Sequence, residues 1–126
     1  AIVKFKSGES HEKRGQRRIV QVLSVEAKIQ SCPGFHELEG TIFPSATRDV
    51  SENGIRLCIS QLLPVNTFLE MEVKLGERRY LLSGRVMWSQ FIEESVAQVG
   101  ILFTTEDESQ LWSWKNQLSR MFSPET

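Results

Sequence analysis

Apolar and polar residues alternate along much of this chain with a period of two, and the period changes only near its end. Leu23, Val25, Ala27 and Ile29 are spaced by Ser24, Glu26 and Lys28. Leu69, Met71, Val73 and Leu75 are spaced by Glu70, Glu72 and Lys74. Tyr80, Leu82, Gly84, Val86 and Trp88 fall on one face of a further segment, and Ala97, Val99, Ile101 and Phe103 on one face of another. Strands project successive side chains to opposite sides, so each segment reads as a strand with one buried face. Ile55, Leu57 and Ile59 make a shorter strand, and a weaker one spans Leu38 to Ala46, where Pro44 needs an edge or a bulge. Pro33-Gly34 and Gly76-Glu77 mark turns. After Phe103 the spacing becomes helical: Leu111, Trp114, Leu118, Met121 and Phe122 form one stripe, with Asp107 or Ser109 as the cap and Pro124 as the stop. Trp112 and Trp114, two positions apart, cannot both face inward. The expected fold is mainly β: a six-stranded antiparallel barrel of split-barrel type, closed or capped by a C-terminal α-helix.

The chain has 126 residues, enough for one domain with a real core. Its 15 basic and 16 acidic residues nearly cancel, which argues against a general nucleic-acid binder or a polybasic membrane docker. Cys32 and Cys58 are isolated and read as reduced thiols of a cytoplasmic protein, not as a disulfide framework. No signal peptide and no apolar run of spanning length occurs. The chain begins at Ala1, as an excised piece of a longer protein would.

The charge is uneven. Four of the six residues Lys13-Arg14-Gly15-Gln16-Arg17-Arg18 are cationic, and Arg14 and Arg18 read as R-x-x-x-R. Residues 1–18 are therefore expected to form a flexible arm that carries this pair, ahead of a barrel-and-helix unit over 19–126. Thirty-one positions after Arg18 stands Asp49-Val50-Ser51-Glu52-Asn53-Gly54, or D-x-S-x-x-G. It reads as a turn in which Asp49 and Ser51 bond nearby amides and Asn53-Gly54 take positive φ. Arginine can donate two parallel bonds to the O6/N7 edge of guanine, and a carboxylate can accept from the N1/N2 edge. The two clusters together suit a phosphate ligand that bears guanine.

With these clusters in this order, the chain resembles the PilZ domain family, the bacterial receptor module for cyclic di-GMP. Gly84-Arg85-Val86-Met87-Trp88 and Val99-Gly100-Ile101-Leu102-Phe103 are similar to that family's later strands. The resemblance, over roughly Arg14 to Phe122, implies a six-stranded barrel with a packed helix. It implies a site in which Arg14 and Arg18 grip guanine edges and phosphates, Asp49 takes a Watson–Crick edge, Ser51 bonds the ligand and Gly54 shapes the turn. Trp88 stands where some members stack an aromatic on guanine. The ligand would be cyclic di-GMP with no further cofactor, and the output a conformational change read by a partner protein or neighbouring domain. The alternative within the same fold is an adaptor that binds protein partners without nucleotide.

Other classes fit less well. A barrel for single-stranded nucleic acid wants a basic groove and several exposed aromatics, and only 9% of residues are aromatic. A split barrel using flavin is the enzyme reading. His11 and His36 lack ligand-spaced neighbours, so no metal site is expected. No nucleophile elbow or phosphate loop occurs, and Glu93-Glu94 read as a solvated turn, so no catalysis is expected.

Overall fold

The computed structural model describes residues 18–122, which carry seven strands and one α-helix. The strands are β1 (Arg18–Val20), β2 (Ser24–Ser31), β3 (Ile42–Ser51), β4 (Gly54–Ile59), β5 (Phe68–Leu75), β6 (Arg78–Glu93) and β7 (Val96–Phe103); the helix is α1 (Glu108–Phe122). They lie in one antiparallel sheet in the order β1-β3-β2-β5-β6-β7-β4, and a further pairing of β3 with β4 closes β2 to β7 into a six-stranded barrel. The expected architecture holds.

β3 makes the closure. Its first half pairs with β2, from Ile42 to Ala46, and its second with β4, from Ala46 to Val50. On the side that β2 has left, β1 pairs with Asp49, Val50 and Ser51. The chain is broken between β1 and β2 because the Thr47 hydroxyl takes ladder positions there. Thr47 Oγ1 accepts from the Leu23 amide at 2.8 Å and donates to the Gln21 carbonyl at 2.5 Å. β1 is therefore a separate short strand ahead of the one that alternation marks from Leu23. The next connection carries a 3-10 turn at His36–Leu38, so β3 starts at Ile42, later than the Leu38 expected.

The inward residues follow the alternation. Val25, Ala27, Ile29, Leu69, Met71, Val73, Leu82, Val99 and Ile101 are all buried in one cluster. β6 is 16 residues long, and its register with β7 shifts between Val86 and Trp88. Such a bulge sets two residues against one and re-aims the side chains beyond it.

The Asp107 carboxylate caps α1. Its Oδ1 accepts from the Ser109 hydroxyl at 2.8 Å and from the amides of Ser109 and Gln110 at 3.0 and 3.3 Å. The Ser109 hydroxyl bond, then the Gln110 amide, hold this carboxyl below its ordinary value. Trp114 and Leu118 are fully buried, whereas Trp112 is 68% exposed, which settles which tryptophan faces inward. The Trp114 ring meets Tyr80 and Phe103 edge-on, with centroids 5.5 and 5.7 Å away. Among the described residues no helix is long and apolar enough to cross a membrane.

Candidate functional site

β1, β3 and β4 lie side by side, and their register sets Val20 opposite Asp49 and Asp49 opposite Arg56. Val50 and Ile55, the next pair, are fully buried in the core, so alternation points Asp49 and Arg56 to the outer side of the barrel. The Asp49 side chain is nevertheless only 3% exposed, because two guanidinium groups cover it. Arg18 donates from Nε at 2.9 Å and approaches with Nη2 at 2.8 Å, both to Oδ1. Arg56 donates to Oδ2 from Nε at 2.8 Å and also from Nη2. Burial of a carboxylate is costly unless it is paired and hydrogen-bonded, and here each oxygen has its own cation. Two cations around one anion leave the cluster net positive, which suits an anionic ligand.

Ser51 lies two residues along β3 and extends the network. Its Oγ accepts from Arg18 Nη1 at 3.4 Å and donates to the Gly54 carbonyl at 3.2 Å. The Ser51 carbonyl accepts from the Trp114 indole N–H at 3.0 Å, which ties α1 to this strand. Asp49 and Ser51 are thus strand residues. The turn expected over Asp49–Gly54 shrinks to Glu52 and Asn53, and Asp49 bonds guanidinium groups, not nearby amides. Gly54 is correspondingly not one of the positive-φ glycines, which among the described residues are Gly34, Gly40 and Gly76. It is glycine for lack of room: a Cβ there would lie 2.2 Å from the Ile101 carbonyl oxygen.

The same transverse row continues through Gly100 on β7 to Trp88 on β6. Gly100 neighbours Ile101, which faces the core, so the side-chain position at 100 faces out. A Cβ at Gly100 would lie 2.3 Å from the Trp88 indole nitrogen, so the indole lies across that outer position. The bulge after Val86 has turned Trp88 away from the face that Tyr80, Leu82 and Val86 share, and it stands apart from the core cluster they belong to. The row Asp49–Arg56–Gly100–Trp88 therefore runs along one outer face. At 4% exposure, Trp88 has no open ring face.

The PilZ domain family model matches residues 12–122. The chain belongs to the PilZ domain family. No curated protein matches it in sequence. Among solved structures it is similar to the PilZ domain of CeSA from a cellulose-synthesizing bacterium, at 18% identity and a TM-score of 0.58, covering 87% of this chain and 99% of that one. The PilZ domain of Escherichia coli YcgR with c-di-GMP matches at 9% identity and a TM-score of 0.55, covering 90% and 99%. The K. pneumonia MrkH–c-di-GMP complex matches at 15% identity and a TM-score of 0.66, covering 86% of this chain and 51% of that one, so this chain spans about half of MrkH.

Within this PilZ domain, four of the six residues singled out from the sequence converge: Arg18, Asp49 and Ser51 by direct bonds, and Gly54 through its carbonyl. Trp88 joins them along the row, two strands beyond Asp49's partner Arg56. Arg14 lies outside the described residues, as does the rest of the expected arm before Arg18. Sequence reasoning missed Arg56. Its only signal was its place in Ile55-Arg56-Leu57, where alternation turns it outward beside the Asp49 cluster. Among the described residues no group of three or more His, Cys, Asp or Glu could hold a metal.

Proposed function

We propose that this PilZ domain is a receptor for cyclic di-GMP and that it signals by a change of conformation. The observation that carries the reading is the convergence of Arg18, Asp49 and Ser51 in one buried polar cluster of net positive charge. The E. coli YcgR domain and MrkH, both similar in fold, are complexes with that nucleotide, which supports the choice of ligand.

Arg18 is held by Asp49 and Ser51. A cyclic dinucleotide offers better partners: phosphate oxygens and guanine O6/N7 for the guanidinium, and guanine N1/N2 donors for the carboxylate. Binding is an exchange in which Arg18 turns from Asp49 to the ligand and the Asp49 oxygen it leaves accepts from guanine. Arg14, four residues ahead, supplies the second guanidinium. Stacking of a guanine on Trp88 requires its indole to be uncovered on binding. A shift at Ser51 reaches α1 through the Trp114 hydrogen bond, which gives the partner protein or neighbouring domain something to read.

The test is calorimetric titration of cyclic di-GMP into the wild-type chain and into Arg14→Ala and Arg18→Ala. Each loss of a bidentate arginine contact should weaken binding by about 1–3 kcal/mol. Wild-type affinity in both variants removes the mechanism, and a wild-type chain that binds no cyclic di-GMP removes the receptor reading in favour of a nucleotide-free adaptor.

A further inference from the structure

Arg18 and Arg56 approach Asp49 from unequal supports. Arg18 heads β1, a strand of three residues at the edge of the sheet. Arg56 sits in the wall of the closed barrel, on a strand paired along one side with β3 and along the other with β7. The two arginines also divide the carboxylate between them: Arg18 takes Oδ1 and Arg56 takes Oδ2. If Arg18 leaves for a ligand, Oδ1 becomes an open acceptor while Oδ2 stays held.

We propose that Arg56 is a positioning residue that sets guanine specificity: it pins Oδ2 of Asp49 so that Oδ1 can exchange Arg18 for the N1/N2 edge of a guanine. This rests on the receptor reading above. Two physical arguments carry it. First, the Asp49 side chain is 3% exposed, and a carboxylate buried to that degree cannot give up its only cation cheaply. A second, static arginine makes the exchange affordable and keeps a dianionic ligand from meeting an uncompensated negative charge. Second, base discrimination needs an acceptor fixed in direction. A carboxylate held through one oxygen by two donors of a wall residue has lost its χ2 freedom, so its other oxygen points one way. Arg56 acts through Asp49 and need not touch the ligand.

The experiment compares cyclic di-GMP with cyclic di-IMP, in which hypoxanthine lacks the 2-amino donor of guanine, by titration into the wild-type chain, Arg56→Ala, Arg56→Lys and Arg18→Ala. The wild-type chain should prefer cyclic di-GMP by about tenfold or more, the size expected for one well-made base contact. Arg56→Ala should weaken cyclic di-GMP about tenfold or more and shrink the preference towards unity. Arg18→Ala should weaken both nucleotides and leave their ratio in place, since Arg18 turns to groups the two share. Arg56→Lys keeps the charge but not the two-nitrogen grip, so its ratio should also fall; it decides the matter if Arg56→Ala does not fold by circular dichroism. A wild-type ratio in a folded Arg56 variant overturns this inference while leaving the receptor reading intact. A wild-type chain that binds neither nucleotide overturns both.

Discussion

Two outward-facing patches of this barrel use the same kinds of residue and behave differently. On β3 and β4, with β1 alongside, Asp49 lies between Arg18 and Arg56 with 3% of its side chain exposed. On β2, β5 and β6, Glu26, Lys28, Glu70 and Glu72 line an open groove of about 320 Å³ between Ile42 and Leu81. At its edge Glu72 meets Arg79 at 3.2 Å, but the two side chains are 35% and 65% exposed. Both patches obey the same alternation, which sends their charged side chains outward. Convergence separates them. Three strands bring two cations onto one carboxylate in the first patch, whereas in the second the charges face water and screen one another. A charged outer face is the default of a soluble barrel, and a buried carboxylate on such a face is the departure that marks a site.

The comparison breaks most directly at Asp49. Asp49→Ala leaves two guanidinium groups without their shared anion and should cost about 3–5 kcal/mol in urea unfolding; a loss under about 1 kcal/mol would put this patch on a level with the groove. Gly54→Ala comes next. The added methyl meets the Ile101 carbonyl at 2.2 Å, and the backbone shift it forces should cost about 1–3 kcal/mol and disturb Ser51 through its bond to Gly54. At the edge of the groove, a double-mutant cycle on Glu72→Ala and Arg79→Ala should return a coupling of about 0–1 kcal/mol that fades in high salt. The smallest effect concerns Asp107, an exposed carboxylate held by a hydroxyl and amides instead of arginines. Its folded value is depressed, so its stabilisation is complete above the unfolded value and is lost as pH falls through the folded one. Asp107→Asn caps without titrating, so the difference in melting temperature between it and the wild-type chain should change across that acid window and stay constant at higher pH.

Much of the fold was legible because alternation and helical spacing are set by burial. Leu69–Leu75 and the Trp114–Leu118 stripe pack as their periods require. The sequence features that failed to show are those created by one segment acting on another. Nothing near Gln21 announces that the Thr47 hydroxyl, 26 residues on, will interrupt the strand there. The bulge after Val86 adds one residue to β6 and leaves no mark on its composition, yet it moves Trp88 off the core-facing side. Gly54 looked like a turn glycine, although the reason for it is the Ile101 carbonyl. In the site, Arg18, Asp49 and Ser51 were legible because two clusters of complementary chemistry recur at a telling distance. Arg56 was not, because an arginine in an alternating strand looks the same whether it meets water or a carboxylate.

Arg18 binds the same stretch of β3 twice, through backbone pairing opposite Ser51 and through its side chain on Asp49 and Ser51. Ladder and clasp therefore share one anchor, so whatever draws the side chain off Asp49 also loosens the hem of the sheet beside it.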